Sequence, residues 1–466
     1  MTSRTARFPV HSTLLPLLIG VNLTACSWLD VHPDHPQPEV PTSWQADPAP
    51  NPVTAPVAPW LATLDDPKLA ELAAVAERSN HELAEQRAVV QQAREALRAA
   101  GADRYPSLQL ALDTAERQAG VDFARSASSA SVQLQASFEL DIWGRLSDLE
   151  RSALLAWEEQ QVRYEALRID VLAAVASDWY SLMEAEQLVA LLDGRVANLR
   201  QNLAVIEDGY RLGLNESLDV YLARNQLEQE QANLRARLQE RDDTRRSLEL
   251  ALGAYPAATV AAGRVLPAFA PAPGTGVPAE LAERRPDIRA AWLALLSADS
   301  DVAAARKARF PRLTLTADVG RSALELIKLA SDSVLVWSLA GGLTQPLFDA
   351  GKLAAEEARA RARVVALEQQ YLRTVFLAFS EVEQAISQEQ SLNDRLGAVE
   401  RARTNAVAAE ELAFDQYRRG IVTYATVLEA QRRSFDAATD VIGLRAELWR
   451  NRVALHAALG SAPQGQ

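Results

Sequence analysis

The sequence predicts a mainly α-helical fold with a small β part, built from two copies of one strand–strand–long helix unit. Three observations predict it. Short motifs recur at one offset, four short segments alternate polar and apolar residues, and two very long stretches lack proline.

The repeat carries the most weight. Tyr210-Arg211-Leu212-Gly213 corresponds to Tyr417-Arg418-Arg419-Gly420, and Gly144 to Gly351, both at an offset of 207. Leu252-Gly253 corresponds to Leu459-Gly460 at the same offset, and Arg104-Tyr105-Pro106 to Arg309-Phe310-Pro311 at 205. Such a period is far longer than a solenoid repeat and implies duplication of a large structural unit.

Composition supports helix. Ala, Leu, Glu, Gln and Arg dominate, and there are only 20 glycines. These are strong helix formers. The net charge of −13 argues against nucleic acid, which needs a basic face.

The elements follow in chain order. Arg4 and Arg7 precede a short apolar run, Val10 to Val21, which ends at Leu23-Thr24-Ala25-Cys26. The run is too short to span a bilayer and reads as a signal over 1–25. The four residues resemble a bacterial lipobox, which implies acylation of Cys26, the one cysteine. Ser27 in place of aspartate implies the outer membrane by the same resemblance. Residues 26–59 are proline-rich and predict a non-helical, extended strap.

The first unit spans 60–253. Leu69 to about Ala102 shows helical periodicity, which Pro106 ends. Leu108, Leu110 and Leu112 alternate with polar or small neighbours. After a polar stretch from Arg117 to Ser129, residues 132–141 alternate cleanly. Gly144 turns the chain into a helix from Leu146 to Arg211, about 100 Å long. Gly213 ends it before a tight turn. The chain returns as a helix over 217–252. A linker, 254–280, leads to the second unit, 281–461, and a short tail, 462–466. The second unit repeats the order, with strands around 312–317 and 335–344, a corner at Gly351, a helix from Leu353 to Arg419, a turn at Gly420 and a return helix over 423–459.

Four such strands cannot close a barrel, and lipid tolerates no open sheet edge. Three chains supply twelve strands, within the range of membrane barrels. The expectation is a homotrimer forming a 12-stranded β-barrel, apolar toward outer-membrane lipid and polar toward a lumen, continued by an α-helical barrel tunnel.

The chain resembles the TolC/OprM family of outer-membrane efflux proteins, in its NodT-like lipoprotein branch. Glu139-Leu140-Asp141-Ile142-Trp143-Gly144-Arg145 is similar to the family's first strand-to-helix corner, and Arg284-Arg285-Pro286-Asp287 matches the segment opening the branch's second unit. The resemblance covers roughly residues 55–461. It implies the exit duct of a tripartite pump, lipid-anchored in the outer membrane, reaching into the periplasm and exporting small toxic compounds or drugs. It also implies a periplasmic adaptor protein and an inner-membrane pump as partners, with no cofactor and no enzymatic activity.

The resemblance also implies a gate at the helix tips, near Gly213 and Gly420. Asp219 matches its aspartate, Tyr417 its aromatic partner, Tyr424 an OprM-like position and Glu429 an acidic ring position. The gate arginine position of TolC is Val422 here and one of its acidic positions is Thr426; Arg418 could substitute as the cation. Plainer readings stay open: Asp219 as a carboxylate favoured by a helix N-terminus, Glu429 as part of a solvated face.

An enzyme finds no support. No phosphate loop or nucleophile elbow occurs, and His32 and His35 sit in the strap as loose residues offering at most weak metal binding. Two alternatives remain: a coiled-coil envelope lipoprotein without a pore, and the same duct serving protein or metal-ion export.

Overall fold

The computed structural model describes residues 35–46, 60–64, 66–118, 126–263, 265–267 and 278–460. Cys26, His32, the signal and the tail after 461 lie outside them. The described chain runs α1 (Trp60–Thr63), α2 (Pro67–Ser79), α3 (His81–Ala102), β1 (Ser107–Gln118), β2 (Ser126–Leu140), α4 (Arg145–Arg211) and α5 (Ser217–Ala251). The second copy follows as α6 (Pro278–Arg284), α7 (Pro286–Lys307), β3 (Arg312–Ala323), β4 (Val334–Thr344), α8 (Lys352–Arg418) and α9 (Tyr424–Ala458), with a single 3-10 turn between its strands. Among the described residues, no helix is long and apolar enough to cross a membrane.

The chain forms two compact units, and each takes part of both copies. The first holds the sheet. Its strands are antiparallel in the order β1-β2-β3-β4, so among the described residues β1 and β4 each keep an unpaired edge. Register sorts the side chains onto two faces. Leu110, Leu134, Val319 and Trp337 form one row, with Leu108, Ala136, Ala317 and Leu339 beside it. The other face carries the row Gln109, Gln135, Asp318 and Ser338. Gln109 donates to Gln135 at 3.0 Å and Ser338 to Asp318 at 2.9 Å. Every residue of β4 is exposed, apolar ones included.

The strands outrun the sequence expectation. The stretch Arg117–Ser129 read as a polar connection, yet β1 continues to Gln118 and β2 starts at Ser126. Ladder hydrogen bonding extends a strand past the point where its side chains stop alternating.

The corners are capped differently. Gly144 (φ +76°) and Gly351 (φ +86°) adopt the left-handed backbone that glycine tolerates best. Asp141 accepts from the Leu146 and Ser147 amides at 2.9 and 2.8 Å, and Asp349 accepts from the Gly351 and Leu353 amides at 2.9 Å. The glycines keep the 207 offset, but the capping carboxylates are 208 apart.

The second unit is helical. Its largest core joins Trp60, Leu69, Leu72, Leu83, Leu172, Trp179, Tyr180, Leu248 and Trp449. Tyr180 stacks on Trp449 at 5.1 Å, and Trp179 Nε1 donates to Asp66 at 2.7 Å. The helix expected from Leu69 to Ala102 is broken here. Asn80 closes α2 and opens α3: its Oδ1 accepts from the Leu83 amide at 3.0 Å while its Nδ2 donates to the Ala251 carbonyl at 2.8 Å. An asparagine offers these bonds in place of a helical one.

The proline-rich strap is non-helical over 35–46. His35 is not loose. Within the first unit it is buried, with Nε2 at 2.7 Å from Asp299 and Nδ1 at 3.0 Å from Glu368. Within the second unit, Trp44 packs edge-on against Phe379, and the Gln45 and Ala46 amides donate to Glu383 at 2.7 and 2.9 Å.

Candidate functional site

Both long helices end alike. Gly213 (φ +75°) and Gly420 (φ +72°) follow the last turns of α4 and α8. The Gly213 amide donates to the Tyr210 carbonyl at 3.0 Å and the Leu214 amide to Gly209 at 2.8 Å. The Gly420 amide donates to Tyr417 at 2.8 Å and the Ile421 amide to Gln416 at 2.9 Å. This is the Schellman pattern, which satisfies carbonyls a helix end leaves open. The chain therefore reverses in a few residues at each tip.

Behind the turns lies a small core of Ile206, Val220, Ala223, Ala413, Tyr424 and Val427, drawn from α4, α5, α8 and α9. Tyr417 of α8 and Asp219 of α5 meet at its edge, where the phenol donates to the carboxylate at 2.9 Å. Burial, then that hydrogen bond and the carboxylate's charge, push the Tyr417 phenol up, so it remains a donor at any physiological pH. Asp219 also sits in the first turn of α5, where the helix dipole favours negative charge. The same carboxylate thus holds a helix-N-terminal position and a hydrogen bond from the neighbouring helix pair.

Tyr424 is fully buried, its ring tilted 5.4 Å from that of Tyr417. Burial and then the Asp219 charge raise its phenol to about 12. The Tyr424 hydroxyl finds no hydrogen-bond partner among the described residues, which costs about 1–3 kcal/mol for such a group.

The other candidates stand apart from this pair. Glu429 is exposed, and hydrogen bonds from Arg432 and Arg433 hold it down to about 2. Those partners lie on its own helix, at 2.9 and 2.7 Å, as on a solvated helix face. Arg418 is exposed in the last turn of α8, while its neighbour Arg419 pairs with Asp415 at 2.6 Å.

Sequence reasoning missed Asn215 and Gly209. Asn215 Nδ2 donates to the Ile206 carbonyl at 3.1 Å, and a Cβ on Gly209 would lie 2.3 Å from that nitrogen. The glycine leaves room for the asparagine to lock the first tip. The signal was present, since a glycine inside a helical pattern asks for a packing reason.

The motif Arg284-Arg285-Pro286-Asp287 proves structural. Arg285 grips Asp287 with two nitrogens at 2.9 and 2.7 Å, and gives Nη1 to Glu381 at 2.6 Å and to the Ala458 carbonyl at 3.0 Å.

Comparison with known proteins agrees with this architecture. The chain is 29% identical to the pyoverdine export outer membrane protein OpmQ of Pseudomonas putida, with 98% of each chain covered. It is 30% identical to the cation efflux system protein CusC of Escherichia coli K12, covering 96% of this chain and 98% of that one. Among solved structures, the outer-membrane channel OprN superposes with a TM-score of 0.84 at 26% identity, covering 93% of this chain and all of that one. A family model described as "Outer membrane efflux protein" matches residues 72–254 and 277–461, most of both repeats. The chain belongs to the outer membrane efflux protein family.

Proposed function

We propose that three copies of this chain close one twelve-stranded barrel and together form the exit duct of a tripartite efflux pump for small toxic compounds. The observation that carries this reading is the sheet: four strands with one apolar face, one polar face and two unpaired edges. Unpaired backbone groups cost several kcal/mol each in lipid, so the edges of β1 and β4 require partners. Acylation at Cys26 anchors the chain beside the barrel, and a periplasmic adaptor and inner-membrane pump supply the cargo. OpmQ and CusC are named for different cargoes, pyoverdine and cations, at nearly equal similarity to this chain.

In this reading the tip cluster is the resting gate. Three-fold symmetry triples the Tyr417–Asp219 bond, each worth about 1 kcal/mol. The orphaned Tyr424 hydroxyl makes the closed packing less stable than a fully bonded one, which eases separation of the helix pairs. Glu429 and Arg418 contribute charge at the aperture.

The test is single-channel recording of the full acylated protein in planar bilayers, with its mass in detergent measured alongside. The expected results are a trimer, and a several-fold rise in open probability for Asp219→Ala and Tyr417→Phe. A trimeric channel with unchanged openings in both variants removes the gate assignment. A monomer that never conducts removes the duct.

A further inference from the structure

The first unit contains a cavity of about 650 Å³ whose lining includes Arg145, Arg312, Arg359, Arg363, Asp301 and Glu356. Four arginines and two carboxylates thus surround one opening. Two of the arginines are neutralised locally. Arg145 pairs with Glu139 at 2.8 Å and Arg363 with Asp301 at 3.0 Å. Glu356 stands at 4.0 Å from Lys352. Arg312 and Arg359 are exposed and form no ion pair among the described residues. The first turns of α4 and α8 supply Arg145 and Leu353 to the same opening. Helix N-termini carry partial positive charge, so the backbone adds to the guanidinium field.

The direction of the cavity follows from strand register. Arg312 pairs with Thr344, and Glu139 with Thr314. By the alternation of β2 and β3 these residues lie on the face of Gln135 and Asp318, opposite the face of Leu134 and Val319. Arg145 reaches Glu139 on that same side. The cavity therefore opens away from the apolar face, which excludes a lipid headgroup as its natural occupant.

We propose that this cavity is an anion-binding station for phosphate- or carboxylate-bearing solutes passing through the duct. It rests on the duct reading only for the statement that the polar face lines the lumen. Arg312 and Arg359 are the recognition groups: uncompensated guanidiniums bind such oxyanions with paired, charge-assisted hydrogen bonds. Arg145 and Arg363, held by their carboxylates, shape the rim. In a ring of three chains the two free charges become six, a belt that draws multivalent anions toward it.

The test uses the full acylated protein in phosphatidylcholine nanodiscs, titrated calorimetrically with tripolyphosphate at low salt. The expected result is binding by the wild type that added sodium chloride weakens, and that exceeds binding of inorganic phosphate. Arg312→Gln with Arg359→Gln weakens it by at least about tenfold, whereas Arg361→Gln, whose side chain pairs with Glu357 outside the cavity lining, leaves it unchanged. Circular dichroism confirms that the double variant folds. No wild-type binding, or equal binding by the double variant, overturns the proposal. Phosphatidylglycerol that competes tripolyphosphate away assigns the site to lipid and also overturns it. A protein that fails to trimerise or conduct defeats the duct reading instead, and the titration is still read on its own.

Discussion

The two copies of the repeat share a backbone plan but hold it with different chemistry. The clearest contrast is where each return helix ends beside the start of its own copy. In the first copy Asn80 donates to the Ala251 carbonyl at 2.8 Å; in the second Arg285 donates to the Ala458 carbonyl at 3.0 Å. The carbonyls stand 207 apart and the donors 205 apart, so these are equivalent positions. A neutral amide suffices in the first, where Asn80 also caps α3. The second uses a guanidinium that must be neutralised, and Asp287 and Glu381 provide the charge. A duplicated fold therefore preserves the bond and its carbonyl, not the residue that makes it.

The glycines at the same joints sharpen the contrast and give the largest expected effect. A Cβ on Gly253 would lie 2.1 Å from the Ser79 carbonyl oxygen, a backbone atom that cannot swing aside, and φ there is +74°. A Cβ on Gly460 would meet Arg285 at 3.0 to 3.1 Å, with φ +66°. Gly253→Ala is expected to cost about 3–4 kcal/mol and Gly460→Ala about 1–2 kcal/mol, from added contact and strain. Urea denaturation of the two variants reads the difference, and equal losses would remove the asymmetry.

Next come the clasps themselves. Arg285→Ala leaves Asp287 and Glu381 partly exposed, so water absorbs some of the lost pairing, and a loss of about 2–3 kcal/mol is expected. Asn80→Ala forfeits one cap bond and one carbonyl bond, about 2 kcal/mol. Only the first loss should shrink in high salt, because only it is ionic. A salt dependence shared by both variants would contradict the distinction.

The smallest effect concerns the strap. Burial pulls the His35 pKa down, but hydrogen bonds to Glu368 and Asp299 and their charges outweigh it and leave the value raised. Those carboxylates come from α8 and α7, the elements that bond its ring. Both ring nitrogens face carboxylate oxygens, and only imidazolium donates from both. Because the folded pKa lies above the unfolded one, this stabilisation is complete below about 6.5 and is lost as pH rises through the folded value. Hydrogen exchange over residues 36–46 should therefore quicken as pH rises through that window, beyond the intrinsic rate, and His35→Gln should abolish the step. An identical pH profile in the variant would sink the assignment.

Much of the fold was legible because the cues were redundant. The 207-residue offset, the period-two strands and the proline-free helices each pointed to the same duplicated unit, and the turn glycines marked both tips. Two of the misses, Asn80 and His35, share a cause: they depend on partners distant in sequence. Asn80 sits inside a helical pattern with no proline or glycine to warn of a break, and its partner is 171 residues away. His35 read as loose because its partners are 264 and 333 residues on. At the tips, Tyr417 and Asp219 were named from resemblance and lie within hydrogen-bond reach, while Glu429 bonds, among the described residues, along its own helix. The arginines around the cavity come from α4, α7's neighbour β3 and α8, and no local pattern groups them.

The long helices carry one more consequence. α4 and α8 each contain 67 residues, and α5 and α9 each contain 35. Equal lengths make the molecule a pair of matched rulers. One residue inserted into a single helix advances its end by about 1.5 Å and turns every later side chain by about 100°, which would carry Tyr417 out of reach of Asp219. Lengthening such a molecule without losing that handshake requires the same insertion in all four arms, in whole heptads, so that each helix keeps turning the same face to its neighbours.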